Sequence, residues 1–398
     1  MTDPIVIVGA ARTPMGAFQS DFASLTASQL GAVAIRAAVE RAGVKPELVE
    51  EVLFGNCLMA GQGQAPARQA LLAAGLPFST GAVTLSKMCG SAMKTTMMAY
   101  DAILSGSNDI LVSGGMESMT NAPYLVPKAR GGYRIGHGMI YDHMMLDGLE
   151  DAYNKDEKGG GRSMGTFAEE CSAKYQFSRE DQDAFAIASV KRAQAATEDG
   201  SFGWEIAPVT VSGRSGDVVI SKDEGPLKAK LDKIPTLKPA FKKDGTITAA
   251  SSSSINDGAA ALVLMRASKA AELGLTPLAK IVGHATHAQE PGWFTTAPVG
   301  AIEKLYKKTG WTTDSVDLFE INEAFAAVPM AAMKDLGISH DKVNVHGGAC
   351  ALGHPIGASG ARIIVTLIGA LKKHGKKRGV ASLCIGGGEG TAMAIELI

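Results

Sequence analysis

The chain has 398 residues, of which 46% are hydrophobic and 20% charged, with a formal net charge of −1. That length exceeds one simple core and predicts two or three domains of ordinary globular composition. The near-zero charge excludes whole-molecule attraction to nucleic acid or to an anionic membrane, so an anionic ligand must be held by a local patch.

Five cysteines, Cys57, Cys89, Cys171, Cys350 and Cys384, form an odd set with no Cys-x-x-Cys pair. This argues against a disulfide framework or a zinc cluster and for a reducing compartment. The N-terminus enters an apolar strand without a leader-like region, and no apolar run reaches membrane-spanning length. The expectation is a cytoplasmic protein with no membrane span.

In chain order, Pro4 to Ala10 reads as a buried strand and Arg12-Thr13-Pro14-Met15-Gly16 as a turn. Thr26 and Gln29 make a capping-box pair for a helix through about Ala42, closed by Gly43. Val52-Leu53-Phe54 is the next strand, Pro66 to Ala74 a helix, and Gly81 to Leu85 a strand that runs into Cys89. A helix follows to about Leu104, and then a strand ends in Ser113-Gly114-Gly115-Met116-Glu117. Strands alternating with helices predict a parallel sheet covered on both faces. From Met119 to Thr246 the composition changes to glycine-rich loops, one clear helix from about Ser178 to Asp199, and many lysines, so this segment reads as an inserted lid. Regular α/β character resumes at Ile247.

The two α/β parts look like copies. The interval from Phe54 to Cys89 equals that from Phe319 to His354, and Ser113 to Glu117 parallels Ile385 to Glu389. The predicted organisation is an N-terminal half at 1–118 with 247–272, a lid at 119–246, and a C-terminal half at 273–398. Duplication places Cys89 and His354 at equivalent strand-to-helix turns.

Four stretches carry chemistry. They are Cys89 with its turn, Asn322-Glu323-Ala324-Phe325, Gly353-His354-Pro355-Ile356-Gly357, and Cys384-Ile385-Gly386-Gly387-Gly388. Each polar group sits at a strand end, where open α/β sheets place ligands. A cysteine before a helix lies at the positive end of the helix dipole, which predicts a stabilised thiolate. A histidine beside it can take the thiol proton for attack on a thioester, and a second cysteine can act as general acid or base. His346, Cys350 and His354 are spaced four apart, as helical zinc ligands would be, but the surrounding glycines and Pro355 oppose a helix there. No metal site is predicted. Cys57, Cys171 and Cys350 read as packing residues.

The sequence resembles the thiolase family. The resemblance rests on Ser86-Lys87-Met88-Cys89-Gly90-Ser91, Asn256-Asp257-Gly258, Asn322-Glu323-Ala324-Phe325, Gly353-His354-Pro355 and Cys384-Ile385-Gly386, in family order over essentially the whole chain. It implies a thiolase-like fold, two duplicated α/β halves in αβαβα layers with an inserted lid. The implied activity is reversible ping-pong acyl transfer between acyl-CoA thioesters. Cys89 would accept the acyl group, His354 would activate it, and Cys384 would move the α-carbon proton. Asn322, with a water and His354, would stabilise a thioester oxygen, and the N–H groups of Cys89 and Gly386 would form a second oxyanion hole.

For binding, the resemblance implies Ser253 against pantetheine, with Met164, Ala324 and Phe325 bordering the acyl tunnel. Lys222, Lys228, Lys230 and Lys233 could meet the phosphates. Coenzyme A and acyl-CoA enter as substrates, with no further cofactor. A homodimer or homotetramer is expected, with a second subunit type left open. A ketoacyl synthase-like condensing enzyme is the nearest alternative, but such enzymes typically pair the nucleophile with two histidines, whereas this chain has Cys384. A non-catalytic acyl-CoA-binding protein would need none of Cys89, Asn322, His354 and Cys384 together. Two departures stand out. Ser163-Met164-Gly165 replaces the His-Met-Gly of acetoacetyl-forming members, which predicts room for medium acyl chains. Glu389 ends the last motif, and the sequence assigns it no role.

Overall fold

The computed structural model describes residues 3–157, 159–214 and 216–398. Its centre is a ten-stranded sheet. The strands are β1 (Ile5–Arg12), β2 (Glu51–Gly55), β3 (Gly81–Leu85), β4 (Ile110–Ser118), β5 (Asn256–Arg266), β6 (Ala279–Ala288), β7 (Leu318–Ile321), β8 (Arg378–Ile385) and β9 (Glu389–Leu397), with Gly16–Ala17 paired to β5. Their order across the sheet is β7-β8-β9-β6-β1-β5-β4-β2-β3.

The order is close to mirror-symmetric about the β1–β6 seam, where only Val6 and Ile7 pair with Lys280 and Ala279. The second half supplies a vestige of the β3 equivalent as a single parallel bridge from Phe319 to Val343. The sheet is mixed, not parallel as the alternation predicted. β2 pairs parallel with β3 and β4, and β7 with β8, whereas β1–β5, β4–β5, β6–β9 and β8–β9 are antiparallel. The reason is local for β8 and β9: the three glycines between them make a tight turn, which can join only antiparallel strands.

Successive strand residues feed opposite apolar layers. Val6 and Val8 of β1 pack with Leu30, Ile35 and Val39 of α1 (Ala27–Ala42) and Leu71 of α2 (Pro66–Ala73). Ile5 and Ile7 face the opposite way, onto Met93 and Met97 of α3 (Ser91–Ser105) and Ile363, Ile364 and Leu367 of a C-terminal helix, Ser359–Lys373. In the second half Ile321 and Val380 pack against Ile302 and Leu305 of the helix Ala297–Thr309 and Val328 of the helix Ala327–Leu336. Helices therefore lie outside each half and between them, giving the αβαβα layering of the thiolase fold.

Local signals held where they were strong. Thr26 and Gln29 form the reciprocal capping box of α1, and Gly43 closes it at φ 67°. Between β4 and β5 the chain leaves the sheet. This segment contains a hairpin (Glu150–Lys155 with Gly161–Ser163), α4 (Met164–Tyr175) and α5 (Arg179–Glu198), the latter capped by Ser178. The sheet is rejoined only at Asn256, nine residues beyond Ile247, because the intervening serines lie against Ala324 and Phe325 instead. The longer helices that follow are α6 (Ala297–Thr309), α7 (Ala327–Leu336) and α8 (Ser359–Lys373).

Candidate active site

The N-terminal turns of α3 and α8 converge. A Cβ on Gly360 of α8 would lie 2.3 Å from the Met93 nitrogen of α3, so only glycine permits the approach. Two positive helix ends thus point into one region, and Cys89 and His354 lie just ahead of them.

The turn before Cys89 is strained. Met88 adopts φ 47°, a left-handed conformation uncommon for a non-glycine residue. Ser91 holds it: its hydroxyl donates to the Met88 carbonyl at 2.6 Å and accepts from the Lys87 N–H at 2.8 Å. Behind it, the Cys57 thiol donates to the same carbonyl at 3.1 Å. The sharp turn leaves Cys89 half-buried, and the N–H groups of Gly386 and of Cys89 itself both bear on its sulfur.

Gly386 is brought there by the turn after β8. A Cβ on Gly90 would meet Ile385 Cδ1 at 2.3 Å, so the nucleophile turn and the glycine turn abut. Cys384, one residue earlier, is fully buried and close enough to Cys89 for the two thiols to influence one another.

The electrostatics correct the dipole expectation. Burial pushes the Cys89 thiol up to about 11; the two N–H groups oppose this without overcoming it, and Glu117 adds to it. Desolvation of a charge outweighs the helix end here. Burial also raises Cys384 well above the ordinary thiol range, with Cys89 contributing. Burial, reinforced by the Arg362 guanidinium, lowers His354 to about 3. The resting site therefore holds two thiols and a neutral imidazole.

The tautomer of that imidazole follows from its neighbours. Ser359 Oγ lies 2.6 Å from His354 Nδ1 and gives its own proton to the Pro355 carbonyl at 3.0 Å. Having one proton, the hydroxyl must accept from Nδ1–H, which leaves the lone pair on Nε2. Nε2 is buried and has no hydrogen-bond partner among the described residues. A buried, unpartnered base is what proton transfer to or from a substrate requires. The Asn322 amide nitrogen is 3.5 Å from Nδ1, and its oxygen is 3.5 Å from an Arg362 nitrogen.

Four of the expected binding residues, Met164, Ser253, Ala324 and Phe325, gather near the same point. Met164 Sδ lies 3.5 Å from where a Gly386 Cβ would be. Met164, Ala324, Phe325 and Cys384 share one apolar cluster, and Phe325 meets Phe241 edge-on at 5.7 Å. The Ser253 N–H donates to the Ala324 carbonyl at 3.0 Å. Lys228 is exposed and pairs with Glu224 and Ser20. Among the described residues no group of three His, Cys, Asp or Glu side chains could hold a metal, and His346 packs instead on Phe202 and His374.

Sequence reasoning missed Cys57, Ser359 and Arg362, which touch the machinery without belonging to a recognisable spacing. Glu323, inside a recognised motif, is a buried strut that accepts from Ser189, Asn344 and the Cys350 N–H. Tyr153 was also missed: its ring lies 3.6 Å from where a Gly387 Cβ would be.

Residues 5–268 match the thiolase N-terminal domain and residues 275–397 the thiolase C-terminal domain. The chain is 51% identical to "Acetyl-CoA acetyltransferase 2" of Arabidopsis thaliana, covering 99% of this chain and 97% of that one. It is 49% identical to an acetyl-CoA acetyltransferase of Cupriavidus necator over 100% of both. A crystal structure of the Bacillus anthracis acetyl-CoA acetyltransferase superposes with a TM-score of 0.95 at 41% identity, covering 100% of this chain and 99% of that one. With both domain signatures present and its full length shared with these relatives, the chain belongs to the thiolase family of acyltransferases.

Proposed function

We propose that this thiolase interconverts two acetyl-CoA with acetoacetyl-CoA and CoA, through an acyl group carried on Cys89. The observation that carries the reading is the Cys89 sulfur lying against two backbone N–H groups, its own and that of Gly386. A carbonyl attacked by that sulfur would develop its negative charge beside the same donors, a contribution of about 3 kcal/mol per donor in comparable sites.

The proton balance follows from the neutral resting site. His354 Nε2 takes the thiol proton as the Cys89 sulfur bonds to the acyl carbon, and Cys384 protonates the departing CoA sulfur. Cys384, now a thiolate, removes an α-proton from the second acetyl-CoA. The enolate carbon attacks acyl-Cys89, and the released sulfur regains its proton from His354. Between those steps the imidazolium, with Asn322 beside it, faces the enolate oxygen. Thiolysis is the same sequence reversed.

Two neighbours favour a short acyl chain over the medium chains expected from Ser163. The hairpin Glu150–Lys155 folds back so that Tyr153 stands over Gly387, and Met164 fills the approach to Gly386. Ser253, Ala324 and Phe325 then line the pantetheine arm, with Lys228 among the cations available to the phosphates. The chain divides into halves at 1–118 with 247–272 and at 273–398, and a lid at 119–246. β3 forms one outer edge of the sheet with Val83 turned outward, an edge onto which a second copy can add. A homo-oligomer in the cytoplasm fits that edge and the five free cysteines.

Incubation with acetyl-CoA followed by peptide mass analysis tests the assignment. The expected result is an acetyl group on the Cys89 peptide. Label on Cys384, or on no residue, would sink the assignment.

A further inference from the structure

Glu117, near the end of β4, is fully buried yet takes no part in the proton transfers above. Its two oxygens accept four hydrogen bonds from two separate stretches. Oε1 receives the Leu58 N–H at 3.1 Å and Asn56 Nδ2 at 3.0 Å. Oε2 receives the Cys57 N–H at 3.0 Å and the Gly357 N–H at 2.9 Å. The first stretch lies behind the nucleophile, since the Cys57 thiol holds the Met88 carbonyl and lies 3.2 Å from Ser91 Oγ. The second is the loop that carries His354.

Backbone crossings show how tightly that second loop is seated. A Cβ on Gly115 would lie 2.0 Å from the Gly357 oxygen, and a Cβ on Gly357 would lie 2.6 Å from the Met116 oxygen. With no side chains between them, the loop and β4 are in register through the carboxylate itself. We propose that Glu117 is a positioning residue for acyl transfer: one buried carboxylate sets the nucleophile turn and the His354 loop relative to each other. The inference rests on the roles assigned above to Cys89 and His354.

All four donors are satisfied only by the carboxylate, which has no proton or N–H of its own; burial raises this group to about 7, so the full arrangement is the form present above that pH. A glutamine would turn an NH₂ group toward N–H donors on one side, breaking one pair of bonds while keeping the shape. An aspartate keeps the charge but draws both oxygens back by one methylene. Glu117 also raises the Cys89 thiol, and the thiols facing the pair, Cys57 behind and Cys384 opposite, are held protonated by burial. Loss of the charge is therefore readable at Cys89.

The test uses the full-length enzyme and its Glu117→Gln and Glu117→Asp variants. Steady-state thiolysis of acetoacetyl-CoA gives kcat and KM, and iodoacetamide labelling of Cys89 is followed against pH. For Glu117→Gln, kcat should fall about a hundredfold, the scale of an ångström-sized misplacement, with KM within about threefold. Its labelling profile should move to lower pH. For Glu117→Asp, kcat should fall about tenfold while the labelling profile stays in place. Parental kcat in either folded variant, or a loss of kcat matched by an equal rise in KM, would overturn the proposal. If the glutamine variant does not fold, the aspartate variant decides. Acetylation of the parent at Cys89 is checked alongside: its absence would refute the assigned roles, whereas its presence with parental variants would refute only the positioning role.

Discussion

Lys87, two residues before Cys89, forms an ion pair with Glu389, the residue that follows the Gly386–Gly388 turn. This gives Glu389 the partner its sequence context did not supply: it ties the Cys89 turn to the Gly386–Gly388 turn. Both side chains are partly exposed, so the pair contributes about 1 kcal/mol or less to stability. Its effect should fall on geometry. Glu389→Gln is expected to lower kcat about threefold to tenfold with a melting temperature close to the parent's. The charge-swapped pair, Lys87→Glu with Glu389→Lys, should recover part of that loss; a swap no better than the single variants would remove the strut.

The stability of the fold should carry the signature of its buried imidazole. His354 is held at about 3, below the ordinary histidine value of ~6.5. Between those values the folded chain binds fewer protons at this site than the unfolded one, so stability rises with pH through that window. The contribution is complete above ~6.5 and is lost as pH falls toward about 3. Glu117 and Glu320 act oppositely: burial raises them to about 7 and about 8, so their contribution is present at low pH and fades as pH rises through those values. Denaturant titrations at pH 5 and pH 7 should show that stability gains less, or loses more, over that step in His354→Asn than in the parent, since only the histidine's rising contribution is removed. Parallel curves would mean that His354 titrates in the folded state as it does in the unfolded one.

Cys384→Ser should separate the two half-reactions. In the proposed mechanism its thiol must move the α-proton, whereas in the first acyl transfer it only protonates the departing CoA thiolate, a group able to leave unprotonated and take its proton from water. A quenched single turnover should still find acetyl on Cys89, with overall condensation reduced about a thousandfold or more. An equal loss in both half-reactions would show that proton donation by Cys384 limits the first transfer as much as the second, and would overturn the separation.

Chain length should be set at the hairpin. Tyr153 is 70% exposed, so replacing it disturbs little packing, yet its ring stands against Gly387. Tyr153→Ala should raise kcat/KM for 3-oxohexanoyl-CoA relative to acetoacetyl-CoA, gaining up to about 0.8 kcal/mol for each methylene newly buried. Ser163→His should leave the proposed preference for four carbons unchanged. A parent that cleaves both substrates equally would return the assignment to a broad-range thiolase.

Much of the candidate site was readable from sequence because its residues sit in short runs. Cys89, Asn322, His354 and Cys384 each lie in a recognisable local motif, and the capping of α1 by Thr26 and Gln29 depends on residues three apart. Glu117 was in a noted run but received no role, since its four donors lie about 60 and 240 positions away. The thiolate expectation failed for a related reason: the helix end is local to Cys89, whereas the burial that overrides it comes from the whole fold. The parallel-sheet expectation counted elements but not connections, and it was the glycine turn after β8 that reversed the strand.

In one half of the molecule adjacent antiparallel strands are joined by Gly386, Gly387 and Gly388. In the other, the corresponding strands are joined by everything from Met119 to Ile255, yet Ser118 and Asp257 still pair as neighbours. The segment proposed as the lid is thus an enlarged hairpin loop whose two ends are already fixed by the ladder. Lengthening such a loop adds closure entropy only logarithmically and leaves strand register untouched. Insertion or wholesale exchange between those two residues can therefore reshape the proposed lid without moving the strands beneath it.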